Sequence, residues 1–438
     1  MRYHAQRADM PLMGQVHVPG DKSISHRAVL FAAMAEGRSH LSGVLDSADV
    51  RSTIDAVRAL GASVDVSVGT HGLDMVVGGW GLAGPTQPSH AIDCGNSGTT
   101  VRLLMGALAG YGINVEFTGD ESLSKRPMRR VADPLAEMGA RIATADGGTL
   151  PVAVSGAALH GRRHELAVAS AQVKTALLLA GLRADGITTV CEPAPSRDHS
   201  ERMLPAFGVR VMRDDDGCVS VSGPAQLRAA DVAVPGDPSS AAFLVGAAVL
   251  VPGSDVVLPA VALNPTRVAF LRVLERMGAR VDVDPGAEVC GEPVGVIRAR
   301  YSVLSSGTTV TASEVPSLID EVPLLAVVAA RANGVTRFEG VGELRVKESD
   351  RLQAIVDGLR ALGAAARVDG DDLVVTGPAA FTAARLESLG DHRLAMAFAV
   401  AGLAAAGEVT IDRFEAVDVS YPQFAQHLAA LRLGGALR

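Results

Sequence analysis

One pattern limits this chain more than any other, and it returns six times. A polar or small-residue start leads into an Ala/Leu/Val-rich run that usually closes near a Gly. The copies are GDKSISHR with AVLFAAMAEG (Gly20–Gly37), GNSGTTVRLLMGALAG (Gly95–Gly110), SAQVKTALLLAG (Ser170–Gly181), GDPSSAAFLVGAAVL (Gly236–Leu250), IDEVPLLAVVAA (Ile319–Ala330) and GDHRLAMAFAVAG (Gly390–Gly402). Runs this apolar predict helices buried on all sides. Each is followed by a short β-rich stretch and then an amphipathic helix with a glycine cap. The caps are VRALGASVDV (Val57–Val66), LAEMGARIAT (Leu135–Thr144), LPAFGVRVMR (Leu204–Arg213), LERMGARVDV (Leu274–Val283), LRALGAAARV (Leu359–Val368) and LAALRLGGAL (Leu428–Leu437). Gly just past the last apolar residue stops a helix, and the Val-rich alternation beyond it is a strand. The cap glycines recur every 70–85 residues or so, too far apart for a solenoid and suited to a small α/β unit. Unrelated helices with common caps would account for two or three such matches, not six in order.

A second internal match divides the chain. VPGD occurs at Val18–Asp21 and at Val234–Asp237, each time leading into an apolar helix, with three units between the copies and three after the second. The expected layout is two domains of three units. One spans 21–236. The other spans 237–438 and takes back the N-terminal strand, residues 1–20, so the chain crosses twice, near 18–21 and 234–237. Paired linkers make a hinge, and small ligands favour the cleft beside one. Three buried helices side by side in each domain, sheathed by strands and amphipathic helices, give an α/β fold. With their N-termini aimed at a common cleft, six positive dipole ends would converge there and hold an anion.

Composition narrows the ligand. The 438 residues are 48% hydrophobic but only 3% aromatic, so Ala, Val, Leu and Gly fill the interior. A net charge of −8 argues against a general nucleic-acid or membrane-surface binder. Basic residues gathered at helix starts on an acidic chain point instead to a small anionic ligand. Cys94, Cys191, Cys218 and Cys290 are scattered, with no CxxC and no His at zinc spacing; a reduced cytoplasmic compartment and no metal are expected. MRYHAQRADMPLMG has no apolar signal core, and the apolar helices break short of the ~20 residues that span a bilayer. A soluble cytoplasmic protein is expected.

The motifs at the helix starts carry the candidate chemistry. In GDKSISHR, Ser23 or Ser25 is a suitable cap, while Lys22, His26 and Arg27 put cations where a helix dipole disfavours them, which suits an anion site. DCGNSGTT (Asp93–Thr100) offers capping hydroxyls and glycines for close backbone approach. SKRPMRR (Ser124–Arg130) has four cations in seven residues, and Pro127 restricts the backbone of Arg126, which suits bidentate recognition of phosphate or carboxylate. SAQVK (Ser170–Lys174) and PSRDHSE (Pro195–Glu201) read first as ordinary helix and loop starts that also supply hydroxyls, an amide and Arg197. Asp320 and Glu321 in SLIDEVP fit simple helix capping, yet a carboxylate beside bound anions suits a general base. ELRVKESDR (Glu343–Arg351) mixes acid and base, with Lys347 and Glu348 just outside a helix that starts near Ser349. GDHR adds His392 and Arg393.

Taken in order, GDKSISHR, GNSGTT, KRPM, SAQVK, RVKESDRL and GDHRLAM resemble the 5-enolpyruvylshikimate-3-phosphate synthase (3-phosphoshikimate 1-carboxyvinyltransferase) family from Val18 to about Pro422. RPMRR, SAQVK and NPTR (Asn264–Arg267) resemble its class II bacterial branch. The resemblance implies a two-domain inside-out α/β barrel, each domain three βαβαββ units, agreeing with the six-unit reading. It implies transfer of the enolpyruvyl group of phosphoenolpyruvate to the 5-hydroxyl of shikimate 3-phosphate, with phosphate released by addition and elimination. No cofactor or metal is implied, and a monomer suffices. By resemblance, Lys22, Ser23, Arg27, Ser170, Ala171, Gln172, Ser196, Arg197, Asp320 and Lys347 contact shikimate 3-phosphate. Lys22, Asn96, Gly98, Arg126, Gln172, Arg351, His392 and Arg393 hold phosphoenolpyruvate. Asp320 is the expected base, Glu348 the expected proton donor to the methylene carbon, and Lys22 a catalytic cation shared by both substrates.

The chain departs from the family at Glu343, where many members have Asn, at Ala171, where many have a second Ser, and at Val419, where some carry a phosphoenolpyruvate-binding Lys. Gly98 is retained where glyphosate-insensitive members have Ala, which implies inhibition by glyphosate. Two alternatives share the scaffold. UDP-N-acetylglucosamine enolpyruvyl transferase carries a reactive loop Cys, and Asp120 to Arg130 has none. A non-catalytic phosphometabolite-binding protein would keep the cations without needing Asp320 and Glu348. Basic residues from both halves imply that ligand draws the domains together.

Overall fold

A computed structural model describes residues 1–434; the end of the sixth cap, 435–437, and the last residue of the expected 237–438 span lie outside the described residues. Among the described residues, twelve α-helices alternate between two kinds. In chain order they are α1 (Lys22–Met34), α2 (Ala48–Ala59), α3 (Gly98–Leu108), α4 (Arg129–Glu137), α5 (Ala171–Gly181), α6 (His199–Met203), α7 (Pro238–Leu250), α8 (Ala269–Arg276), α9 (Val322–Ala329), α10 (Arg351–Ala361), α11 (His392–Leu403) and α12 (Phe424–Arg432). The odd-numbered helices are the six apolar runs, and α7, α9 and α11 are buried along their whole length. The even-numbered ones bury one face only. α2 buries Val50, Thr53, Ile54 and Val57 at helical spacing and turns Arg51, Asp55 and Arg58 outward. α6 is cut to five residues because Pro205 has no N–H to continue the helical hydrogen bonding, although Leu204 before it still has helical backbone. All six cap glycines have positive φ: +95° at Gly61, +104° at Gly139, +81° at Gly208, +93° at Gly278, +87° at Gly363 and +67° at Gly434, the left-handed turn that ends a helix without a Cβ penalty.

The strands repeat one arrangement. Ile92–Asp93 runs parallel to Asn114–Thr118, which pairs antiparallel with Val152–Ser155, which pairs antiparallel with Arg141–Thr144. Four further sheets have this order. In three of these five sheets the apolar helix is the crossover between the two parallel strands, which cannot be joined by a tight turn. Two sheets take their first strand from a distant part of the chain. Val232–Ala233 runs parallel to Arg38–Val44, and Met13–Gln15 runs parallel to Asp255–Ala262. The sixth sheet has three strands, with Arg2–Ala5 antiparallel to Val409–Asp412 and Ala384–Glu387 parallel to it.

The chain forms two compact units. One comprises Met1–Pro19, Pro235–Ala287 and Pro293–Arg438; the other comprises Gly20–Val234 and Glu288–Glu292. The sequence layout has no counterpart of the short 288–292 excursion. Each unit has its own hydrophobic core, with the apolar helices at its centre. Packing of α3 on α5 is close enough that a Cβ at Gly106 would lie 2.1 Å from the carbonyl oxygen of Ala176. Each unit is thus an inside-out α/β arrangement: helices within, sheets without. No helix among the described residues is long and apolar enough to cross a membrane.

Candidate functional site

In the Gly20–Val234 unit the starts of α1, α3 and α5 are tied to one another. α1 is capped by Asp21, whose carboxylate accepts from the N–H of Ile24 at 2.8 Å. Neither Ser23 nor Ser25 serves, because Ser25 Oγ instead accepts from Leu45 N–H at 3.0 Å and braces the following strand end. Lys22 remains partly open to solvent, at 20%, and donates to Asp49 at 3.2 Å. Arg27 points inward instead. It is 2% exposed and donates to Ser200 Oγ, the Ser23 carbonyl and Thr175 Oγ1 at 2.8–2.9 Å. Burial lowers its pKa to about 10, against the raising effect of Glu201 and Asp21.

His26 is not one of the cations at this helix start. It lies in the core with Nδ1 2.7 Å from Thr53 Oγ1, and Thr53 meets Thr100, which meets Ser97, at 2.6 and 2.7 Å. Burial pushes its imidazole down to about 3, so it is neutral near pH 7. This hydroxyl chain joins α1 and α2 to the start of α3, which Ser97 caps.

Gly98 is the first residue of α3. Beside it, Asn96 Oδ1 accepts from Arg126 Nη2 at 2.8 Å while its Nδ2 donates to Asp120 at 2.7 Å. Of the basic run, only Arg126 turns to this helix start; Lys125 pairs with Glu121 in solvent, and Arg129 and Arg130 are exposed. Gln172, in the first turn of α5, donates to Thr99 Oγ1 at 2.9 Å and accepts from Arg102 Nη1 at 2.7 Å. Ser170 caps α5, with Ala171 as its first residue. Ser196 and Arg197 are half-buried on the loop before α6. Arg102 was missed in the sequence, where a single Arg inside an apolar helix gives no signal.

In the other unit the starts of α7, α9, α10 and α11 converge through carboxylates and guanidiniums. Asp320 and Glu321 precede α9, and although Glu321 holds the N-cap position, neither side chain caps the helix. Asp320 is met by Arg351 Nη1 at 3.2 Å and Arg393 Nη2 at 3.4 Å. Glu321 accepts from Ser239 Oγ on α7 and from Arg393 Nη1, the latter at 3.3 Å; burial pushes its carboxyl up, with Arg393 opposing. Arg267, 2% exposed, donates to Asp237 at 3.0 Å and Ser239 at 2.9 Å. Arg351 is the hub. Its Nε donates to Asp391 at 2.7 Å and its Nη2 to Glu348 at 2.5 Å. Burial alone would lower its pKa, but Asp391, Glu348 and Asp320 together raise it above the ordinary arginine value.

α10 begins at Arg351 behind an Asp350 cap rather than at Ser349, so Lys347 and Glu348 lie outside it. Lys347 is 25% exposed and 3.7 Å from Glu343. His392 and Arg393 open α11, which Asp391 caps. Val419 ends a 3-10 turn. The structure therefore gathers Lys22, Asn96, Gly98, Arg126, Ser170, Ala171 and Gln172 at the helix starts of one unit, and Asp320, Glu348, Arg351, His392 and Arg393 at those of the other. Ser23 is beside Lys22 in the first turn of α1, Arg27 lies beneath that helix start, and Ser196, Arg197 and Lys347 lie on loops. Helix N-termini carry unpaired N–H groups and partial positive charge; with guanidiniums added, both clusters suit phosphate and carboxylate.

The cysteines differ from the sequence reading. Cys191 and Cys218 are scattered in the chain but disulfide-bonded in the structure: Cys191 ends one strand and Cys218 directly precedes the antiparallel strand Val219–Gly223, next to the Val190–Val219 pair. Cys94 is buried, its thiol pushed up to about 12 by burial. Among the described residues, no three or more His, Cys, Asp or Glu side chains are grouped to hold a metal ion.

The model of the family described as EPSP synthase (3-phosphoshikimate 1-carboxyvinyltransferase) matches residues 7–428. A 3-phosphoshikimate 1-carboxyvinyltransferase of Halorhodospira halophila is 48% identical over 424 residues, 97% of this chain and 94% of that one. Its counterpart in Xanthomonas euvesicatoria is 49% identical over 419 residues, 95% and 94% of the two chains. The solved EPSP synthase of Acinetobacter baumannii superposes with a TM-score of 0.88 at 41% identity, covering 99% of this chain and 98% of its own. An enolpyruvyl transferase of Streptomyces tendae, NikO, shares the fold with a TM-score of 0.76 at 20% identity. With helix starts, motifs and relatives in agreement over nearly its whole length, the chain belongs to the EPSP synthase (3-phosphoshikimate 1-carboxyvinyltransferase) family.

Proposed function

We propose that the protein moves the enolpyruvyl group of phosphoenolpyruvate onto the 5-hydroxyl of shikimate 3-phosphate, the shikimate-pathway reaction of its family, with the residue roles that follow. Lys22, Ser23, Ser170, Ala171, Gln172, Ser196 and Arg197 hold shikimate 3-phosphate, with Arg27 supporting the α1 start from beneath and Lys347 completing the set. Asn96, Gly98, Arg126, Gln172, Arg351, His392 and Arg393, with Lys22, hold phosphoenolpyruvate.

Asp320 takes the proton from the 5-hydroxyl as its oxygen bonds to C2 of phosphoenolpyruvate, and Glu348 delivers a proton to C3. The tetrahedral adduct then loses phosphate and a C3 proton, restoring the double bond. Cations around the leaving phosphate stabilise its charge. The observation that carries this reading is that Asp320 and Glu348 share one guanidinium, that of Arg351, through its two terminal nitrogens. Two carboxylates so placed, with Arg393 beside one of them, supply the base and the acid that addition requires. No second reading has a comparable observation behind it.

The monomer and the cytoplasm are part of the same proposal; the acidic charge supports them. The test is phosphate release from phosphoenolpyruvate with and without shikimate 3-phosphate. Release that requires both substrates supports the reading, and none with both present refutes it.

A further inference from the structure

Glu192 is absent from the motifs above, yet its carboxylate joins three of their residues. Oε1 accepts from the backbone N–H of Ser170 at 2.7 Å. The Ser196 hydroxyl lies 2.7 Å from Oε1 and 2.8 Å from Oε2. Lys174 Nζ lies 2.6 Å from Oε2 and also 2.8 Å from Glu201. The Glu192 and Lys174 side chains are 8% and 4% exposed. The carboxylate thus ties the end of the Gly186–Cys191 strand to the cap of α5 and to the loop carrying Ser196 and Arg197.

We propose that Glu192 is a positioning residue for the phosphate of shikimate 3-phosphate, an inference that rests on the substrate reading above. Its hydrogen bond to Ser170 N–H fixes the cap backbone. Ser170 Oγ accepts from Val173 N–H at 3.5 Å, so the hydroxyl proton stays available to an anion. A serine hydroxyl has one proton, and that of Ser196 is directed at Glu192. When Ser196 turns to a phosphate, Glu192 keeps Ser170 N–H and Lys174 as partners and is not left an uncompensated buried charge. The residue therefore holds the hydroxyl pair in place and releases one of them at little cost.

The test is calorimetric binding of shikimate 3-phosphate to Glu192→Gln, Glu192→Asp, Ser170→Ala and Ser196→Ala, with steady-state kinetics and urea unfolding of each. Glu192→Gln is expected to weaken binding about tenfold or more and to raise KM for shikimate 3-phosphate alike. KM for phosphoenolpyruvate should stay within about twofold, and kcat should fall far less than KM rises; a general loss of structure would move both substrates together. Glu192→Asp, which keeps the charge and shortens the reach, should fall in between and decides the matter if the Gln variant does not fold. Wild-type affinity in the folded Glu192 variants, with weakened binding in Ser170→Ala or Ser196→Ala, overturns the positioning role alone. Wild-type affinity in both serine variants overturns the underlying site reading.

Discussion

Asp391 lies 2.7 Å from Nε of Arg351, and the two side chains are 0% and 1% exposed. The pair joins the start of α11, which Asp391 caps through the N–H of Arg393 at 2.9 Å, to the start of α10. The guanidinium that carries Asp320 and Glu348 is thus anchored from behind by a third carboxylate. Arg351 would keep Asp320 and Glu348 as partners, so losing Asp391 costs part of the about 3–5 kcal/mol that a wholly uncompensated buried charge carries, and a lost cap adds about 1 kcal/mol. Asp391→Ala should lower stability by several kcal/mol in urea unfolding and abolish turnover. A change below about 1 kcal/mol would show that the pair does not organise these helix starts.

Asp320 is held by Arg351 and Arg393, and each of these has other carboxylates to rest on: Asp391 and Glu348 for the first, Glu321 for the second. Asp320→Asn should therefore fold. As the proposed base, it should lose about 10²–10⁴ in kcat, the range for general acid–base groups, while calorimetry gives an affinity for shikimate 3-phosphate within several-fold of wild type. Turnover within tenfold of wild type would remove Asp320 from the base role.

At Gly98 an added Cβ would meet Arg102 Nη1 at 3.0 Å and Leu123 Cδ1 at 3.4 Å. The tighter contact is the end of a flexible side chain, so Gly98→Ala should fold normally. The methyl sits at the start of α3 and presses on the guanidinium that holds Gln172. Wild type is expected to be inhibited by glyphosate. The variant should need at least about tenfold more inhibitor, with a raised KM for phosphoenolpyruvate, read from inhibition curves at fixed phosphoenolpyruvate. Equal curves would mean that the α3 start does not face the inhibitor.

The helices were legible because each local signal agreed with the next. Apolar runs without a polar face demanded burial, and Gly after an apolar pair demanded a left-handed stop; both act within a few residues. The contacts at the helix starts were harder to read. Asp21 displaced Ser23 and Ser25 as cap because Ser25 is needed 20 residues on, at Leu45. Glu321 looked like capping, but its partners are Ser239, 82 residues earlier, and Arg393, 72 residues later. Arg267, Asp391 and Glu192 are ordinary charges in the sequence; only the fold buries them and pairs them with Asp237, Arg351 and Lys174. The Cys191–Cys218 pair was invisible for the same reason, since strand register decides it.

His26 gives the fold a defined response to acid. Its pKa is about 3 in the native protein, because burial disfavours the charged ring, against an ordinary value of 6.5. Between these values the unfolded chain binds a proton that the native protein refuses, so this contribution to stability is complete above about pH 6.5 and is lost as pH falls toward 3. At about 1.4 kcal/mol per tenfold in proton affinity, the loss from pH 6.5 to 5 is about 2 kcal/mol. His427, lowered to about 4 by burial, acts in the same direction, whereas Glu321, raised by burial, opposes it above the ordinary glutamate range. His26→Asn offers an amide in place of Nδ1 toward Thr53 but has no proton to take up. It should be less stable than wild type at pH 7.5, with the gap narrowing by about 2 kcal/mol at pH 5 in urea unfolding. A gap of the same size at both pH values would mean that the ring ionises in the native core.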